Sequence, residues 1–122
     1  MYQLFVEEHF DAANYLRNYR GKCENLHGHR CKVIVRLEAT KLNEVGLAYD
    51  FAQLKHYLRE LLAQFDHACL NDIAPFEKIE PSCENIAATI YSELQSHFSG
   101  SLVTLAYVEV WESPTSGVAY SP

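Results

Sequence analysis

The sequence predicts an α+β fold: an antiparallel β-sheet with two helices packed on one of its faces. Apolar residues tend to alternate in the stretches 2–13, 28–39 and 102–111, which is typical of β-strands. Apolar residues recur every three to four positions in 51–65 and 86–98, which is typical of amphipathic helices. Because the chain order is strand, strand, helix, helix, strand, two helices on one face of the sheet is the economical packing.

The second predicted strand determines where two histidines point. Side chains of a strand alternate between its faces, and Val33 and Val35 mark the apolar face. His27, His29 and Cys31 have the same parity as these valines. We therefore expect the histidines at the end of a buried face, provided that no β-bulge intervenes.

Capping residues set the predicted helix boundaries. Asp50 is a favourable N-cap for the first helix, and Pro81 and Ser82 begin the second. The stretches 14–26 and 66–80 have no regular period and are interpreted as loops.

The end of the chain predicts open sheet edges. A turn at 112–117 separates the long strand 102–111 from a short apolar run at 118–120. A sheet of this kind exposes edges that pairing with other copies would cover, so a homo-oligomer is expected.

Composition predicts one soluble domain over residues 1–122. The chain is 48% hydrophobic and 21% charged, and no apolar run reaches the roughly 20 residues that span a bilayer. The first residues show no signal peptide, so a cytoplasmic protein with reduced cysteines is expected, without membrane partners. The net charge of −6 disfavours nucleic-acid binding, although the basic residues Arg17, Arg20 and Lys22 form either a local anion site or a solvated loop.

The stretch Gly21–His29 is the strongest candidate for chemistry. His27 and His29 flank Gly28, so an extended backbone places both imidazoles on one face, where they can share a metal ion. Zinc takes imidazole and thiolate ligands, and a catalytic zinc usually has three protein ligands and one open position. The alternative is two histidines with structural hydrogen bonds at the start of a strand.

Cys23 and the pair Asp66–His67 are candidates for proton transfer. A thiol is a better base or nucleophile when an imidazole accepts its proton, and a carboxylate can orient that imidazole. The alternatives are a structural thiol for Cys23, and a helix end with its following loop for Asp66 and His67.

Glu112 ends an apolar strand with the parity of Val108 and Val110. A buried carboxylate requires a partner, and the N–H edge of a guanidine-like heterocycle is suitable. The alternative is that the strand has left the core at this point and Glu112 is solvated.

Five motifs in order give the chain its resemblance to the 6-pyruvoyl-tetrahydropterin synthase family over nearly its full length. Each is weak alone, but the order and spacing are specific. They are Phe-Asp-Ala-Ala-Asn at 10–14, Gly-Lys-Cys-Glu-Asn-Leu-His-Gly-His at 21–29, Phe-Asp-His-Ala-Cys-Leu-Asn-Asp at 65–72, Pro-Ser-Cys-Glu-Asn-Ile-Ala at 81–87 and Val-Trp-Glu-Ser at 110–113. The short Cys-x-x-x-His-x-His spacing is similar to that of the bacterial 6-carboxy-tetrahydropterin synthases of the queuosine pathway.

The resemblance implies a tunnelling fold (T-fold) whose subunits form trimers stacked into hexamers, an oligomeric barrel with sites at subunit interfaces. It implies that His27 and His29 bind Zn²⁺, that Cys23 accepts a proton with Asp66 and His67 as relay partners, and that Glu112 is a catalytic residue that also anchors the pterin ring. The implied reaction converts 7,8-dihydroneopterin triphosphate to 6-carboxy-tetrahydropterin, acetaldehyde and triphosphate. The alternatives are pyruvoyl-type triphosphate elimination alone and a non-catalytic pterin-binding homologue.

Asn14 departs from the family pattern, because a histidine that ligates zinc usually occupies this position. An amide oxygen is a weaker zinc ligand than imidazole. Three explanations follow: Asn14 Oδ1 ligates zinc with reduced affinity, another histidine such as His9 replaces it, or the chain has lost zinc and the family reaction. The parity of His9 is opposite to that of Asn14.

Overall fold

The structure is a computed structural model, and it describes residues 1–18 and 25–122. Its described part contains a five-stranded sheet of order β3-β1-β2-β4-β5. The strands are β1 (Tyr2–Asn14), β2 (His27–Ala39), β3 (Ala68–Cys69), β4 (Thr104–Ser113) and β5 (Ser116–Tyr120). The helices are α1 (Phe51–Leu62) and α2 (Cys83–Leu94). The α+β class and each long predicted strand and helix are therefore confirmed, with ends shifted by a few residues.

The sheet is mixed, so the prediction of a purely antiparallel sheet is wrong at one edge. The two-residue strand β3 pairs in parallel with β1, with Ala68 opposite Ala12. The amide of His67 donates to the carbonyl of Asp11 at 2.6 Å, and the amide of Asp11 donates to Asp66 Oδ1 at 2.8 Å. These bonds bring the stretch interpreted as a loop alongside β1. Within this single chain the sheet is open and does not close into a barrel.

Both helices pack on one face of the sheet, as predicted. Helix α1 contacts β1, and α2 contacts β4 and β5. The Asp50 carboxylate accepts from the amide of Ala52 at 2.8 Å, and the Ser82 hydroxyl accepts from that of Asn85 at 3.2 Å, so both predicted N-caps form. Helix α1 ends at Leu62, earlier than predicted, and the turn that follows still buries Phe65.

The opposite face of the sheet carries no described helix. Arg36 crosses it to reach Glu109, with 2.7 Å between Nε and Oε2, and the guanidinium lies over the ring of Phe5. The Trp111 indole donates to the same carboxylate of Glu109 at 3.0 Å. In the described residues neither helix is long and apolar enough to cross a membrane.

Arg17 has a structural environment. Its guanidinium donates to the carbonyls of Asn71, Phe76 and Ile79 and lies 3.6 Å from a Glu80 carboxylate oxygen. This residue therefore joins two loops and does not present its charge to an anion. Arg20 and Lys22, the other members of the basic cluster, lie outside the described residues.

Candidate functional site

A cavity of about 230 Å³ lies on the helix side of the sheet, where β1, β2, β4 and α2 meet. It brings together the predicted metal ligands and the predicted pterin anchor. Its lining residues come from the end of β1, the start of β2, the start of α2 and the β4–β5 turn: Asn14, Leu16, His27, His29, Pro81, Ser82, Cys83, Glu84, Glu112, Ser116, Gly117 and Val118.

Strand register explains why the histidines face this cavity. In the antiparallel pairing of β1 with β2, Asn14 lies opposite His27 and Ala12 lies opposite His29. Opposed residues share a face, and Cys31 and Val33 farther along the same face are buried. The parity prediction for the histidines is confirmed.

The two imidazoles are arranged in parallel. Their ring centroids are 5.2 Å apart with an interplanar angle of 18°. His27 Nδ1 lies 2.8 Å from the carbonyl oxygen of Asn25, which only accepts hydrogen bonds, so Nδ1 carries the proton and Nε2 is left with its lone pair. Burial, and then the neighbouring His27, lower the pKa of His29. For His29 this direction favours the neutral form, which is the form that binds metals.

Asn14 lines the same cavity. The residue is 7% exposed, and its Nδ2 donates to the carbonyl of Pro81 at 3.1 Å. Asn14 Oδ1 is the one buried side-chain nitrogen or oxygen in the described chain that has no hydrogen-bond partner. Two imidazole nitrogens and one amide oxygen fit a divalent metal of the zinc type with open positions left for substrate.

His9 does not replace the missing histidine ligand. It lies opposite Lys32 in the register of β1 and β2, on the sheet face away from the cavity. Its Nε2 is 3.7 Å from a carboxylate oxygen of Glu7 on that face. His9 is therefore excluded as the replacement ligand within the chain.

Glu112 lines the cavity although its side chain is exposed in the single chain. Its Oε2 lies 4.0 Å from the sulfur of Cys83, which donates the contact. Sequence reasoning left Cys83 without a role. Cys83 is the first residue of α2, directly after the N-cap Ser82, and both residues line the cavity.

Asp66 and His67 lie together but outside this cavity. His67 Nδ1 is 3.0 Å from Asp66 Oδ2, and the His67 side chain is 78% exposed. The amide of Asp11 and then the His67 hydrogen bond hold the pKa of Asp66 below its usual value. His67 lines a separate, shallower cavity, which shares His29 with the first. Cys23, the predicted proton acceptor, lies outside the described residues.

Asp11, Asp66 and His67 place three potential ligand atoms within 4.8 Å of one another. Asp11 is already paired with Arg30, whose Nε lies 3.1 Å from Asp11 Oδ1. The Arg30 hydrogen bond lowers the pKa of Asp11. We therefore interpret the cluster as a set of ion pairs and hydrogen bonds that hold Asp66 and His67 in place.

Cys31, behind the histidines, is expected to resist alkylation. Burial raises its pKa to about 12, with smaller contributions from Cys83 and Glu112. At pH 8 the thiolate, which is the reactive form, is then on the order of 1 part in 10⁴. Site-resolved mass spectrometry after iodoacetamide treatment should find Cys31 unmodified in the folded protein and modified after denaturation. Labelling of Cys31 as fast as that of the partly exposed Cys69 in the folded protein would contradict this result.

Comparisons with known proteins identify the family of the chain. A family model described as 6-pyruvoyl tetrahydropterin synthase matches residues 3–122. The chain is 37% identical to the 6-carboxy-5,6,7,8-tetrahydropterin synthase of Synechocystis sp., covering 98% of this chain and 93% of that protein. It is 30% identical to the enzyme of the same name from Bacillus subtilis, covering 99% and 86%.

A solved structure shares the fold. The 6-pyruvoyl tetrahydropterin synthase of Caenorhabditis elegans superposes with a TM-score of 0.89 and 27% identity, covering 99% of this chain and 95% of that one. The family match spans nearly the whole sequence, and the structural match spans the same sheet and helices. The chain belongs to the 6-pyruvoyl tetrahydropterin synthase family.

Proposed function

We propose that this protein is a 6-carboxy-tetrahydropterin synthase. It converts 7,8-dihydroneopterin triphosphate, with the uptake of water, to 6-carboxy-tetrahydropterin, acetaldehyde and triphosphate. The observation that carries the proposal is the cavity that holds His27, His29 and Glu112 together. The relatives named for this activity support it. We place the reaction in the formation of queuosine and other 7-deazapurines.

Glu112 supplies the recognition step. Its carboxylate can accept hydrogen bonds from the ring N–H and the amino group of a pterin, and two such charge-assisted bonds fix the plane of the ring. The ring then lies beside the start of α2, and its side chain extends across the cavity toward the histidines. Holding the reacting carbons in one geometry is the positioning part of catalysis.

His27 and His29 are proposed to hold a zinc ion. When bound, zinc polarises the side-chain oxygens of the substrate and makes the adjacent C–H groups more acidic. The carbonyl of Asn25 keeps His27 in the tautomer that leaves Nε2 for the metal. Burial lowers the pKa of His29, which favours the neutral ring that this role requires.

Cys23, Asp66 and His67 are proposed to move protons between the side-chain carbons. In the single chain the Asp66–His67 dyad lies outside the cavity and is largely exposed. We therefore place the dyad of one subunit against the cavity of its neighbour, in a cytoplasmic trimer or hexamer that buries the open sheet edges. Asp66 orients the imidazole, and the imidazole exchanges a proton with the Cys23 thiol.

Product analysis tests the reaction. The zinc-loaded protein and 7,8-dihydroneopterin triphosphate are expected to yield acetaldehyde and triphosphate in equal amounts, measured by aldehyde derivatisation and anion chromatography. Triphosphate without acetaldehyde would support the pyruvoyl-type reaction instead. The absence of both products, with pterin binding retained, would indicate a non-catalytic homologue.

A further inference from the structure

We propose that Asn14 Oδ1 is the third protein ligand of the metal site and that this oxygen narrows the preference of the site for zinc over manganese. The inference rests on the proposed metal site at His27 and His29. It does not depend on which reaction the site catalyses.

The first observation is the unpaired oxygen itself. Buried polar atoms in folded proteins nearly always have a hydrogen-bond partner, because burial without one is costly. Asn14 Oδ1 has no such partner among the described residues, although Asn14 is only 7% exposed. Asn14 lines the cavity, and its unpartnered oxygen indicates a site for an electron-pair acceptor.

The second observation is that the orientation of the amide is fixed. Asn14 Nδ2 donates to the carbonyl of Pro81, 67 positions away in the sequence. A flipped amide would place two oxygens against each other at 3.1 Å and lose this bond. The carbonyl of Pro81 therefore holds the NH₂ group and leaves Oδ1 as the electron-pair donor atom of this side chain that has no partner.

The third observation is the position of Asn14 beside the imidazoles. Asn14 lies directly opposite His27 in the strand register, and both residues line the same cavity. Side chains at opposed positions have their Cβ atoms about 5 Å apart. The oxygen is therefore within reach of an ion that both histidines bind.

The donor set determines the selectivity. Two imidazoles and one amide are all neutral, so the site has the same charge as one built from three imidazoles. Imidazole suits zinc, whereas carbonyl oxygen suits harder ions such as manganese. Exchanging one imidazole for an amide oxygen therefore lowers the affinity of the site for zinc more than its affinity for manganese.

Metal titration of the full-length protein tests the inference. Metal-free protein is titrated with Zn²⁺ alone and with Mn²⁺ alone, each in competition with a chromophoric chelator. Asn14→His is expected to raise the zinc affinity about tenfold or more and the manganese affinity less than about threefold. Asn14→Leu, which has no donor atom, is expected to weaken the binding of both metals about tenfold.

Two controls separate the donor from general effects. Gln3→His adds an imidazole on the exposed part of β1 and is expected to change neither affinity. Circular dichroism and thermal unfolding in chelator establish that each variant folds. Asn14→His keeps a ring N–H for the carbonyl of Pro81, so this variant decides the question even when Asn14→Leu is unstable.

Three results would overturn the inference. They are unchanged zinc affinity in Asn14→His, an equal gain for both metals in that variant, and unchanged binding in a folded Asn14→Leu. None of these measurements uses the substrate. A protein that fails the product test can therefore still confirm the ligand, and an active protein can still refute it.

Discussion

Glu112→Gln is expected to weaken pterin binding by about 10²-fold or more, with a matching loss in kcat/KM. The substitution keeps the size of the side chain but removes the charge, and it turns one acceptor oxygen into a donor NH₂ group. That group would face an N–H of the ring, so one hydrogen bond is lost and a repulsive contact replaces it. The loss of affinity exceeds that of one hydrogen bond, because the mismatched polar groups of the site and the ring are left without partners.

Pterin fluorescence quenching measures the affinity, and initial rates give kcat/KM. Glu60→Gln is the matched control. It removes the same charge from an exposed position on α1 that does not line the cavity. It is expected to bind and turn over as the original protein does. Equal losses in both variants would mean that net charge, and not the Glu112 contact, governs binding, and would remove Glu112 as the anchor.

His29→Ala and His67→Ala are each expected to lower kcat by about 10²- to 10⁴-fold, and a mixture of the two chains is expected to regain activity. His29→Ala removes a proposed metal ligand, and His67→Ala removes the imidazole that is proposed to transfer the proton. If each site combines the cavity of one chain with the dyad of its neighbour, random mixed oligomers contain intact pairings at about a quarter of their sites.

Co-expression with two affinity tags isolates the mixed oligomers, whose rates are then compared with each pure variant. The matched control is a mixture of His29→Ala with His27→Ala. Both changes fall in the same half-site, so no intact pairing forms and activity should stay at the level of the pure variants. Failure of the first mixture to exceed this control would show that cavity and dyad act within one chain.

Local periodicity was sufficient to predict the sheet face on which His27, His29 and Glu112 lie. The period of two in β2 placed His27 and His29 on the face of Val33, and the structure confirms it. The same rule placed Glu112 with Val110, and the side chain does line the cavity. The N-caps Asp50 and Ser82 were also predictable from the sequence, because a cap depends on neighbours within a few residues.

Pairings between distant segments could not be predicted from the same pattern. The parallel strand β3 follows two hydrogen bonds that tie Asp11 to residues about 55 positions away. The amide of Asp11 donates to the Asp66 carboxylate, and the amide of His67 donates to the carbonyl of Asp11. The two residues of β3 carry no periodic signal, so the segment was interpreted as a loop. The place of Cys83 beside Glu112 likewise depends on how α2 lies against β4.

The order and spacing of five motifs determined the family from sequence. Alternation along a strand and spacing along a helix are local properties, so they determined the α+β class and the sheet face of His27, His29 and Glu112. The tertiary structure alone decided that Asn14 presents its oxygen, since the carbonyl that fixes the amide comes from Pro81, 67 residues away. It also decided that the Asp66–His67 dyad lies outside the cavity of its own chain. Both facts depend on contacts between distant segments, which form only when the sheet and α2 pack together.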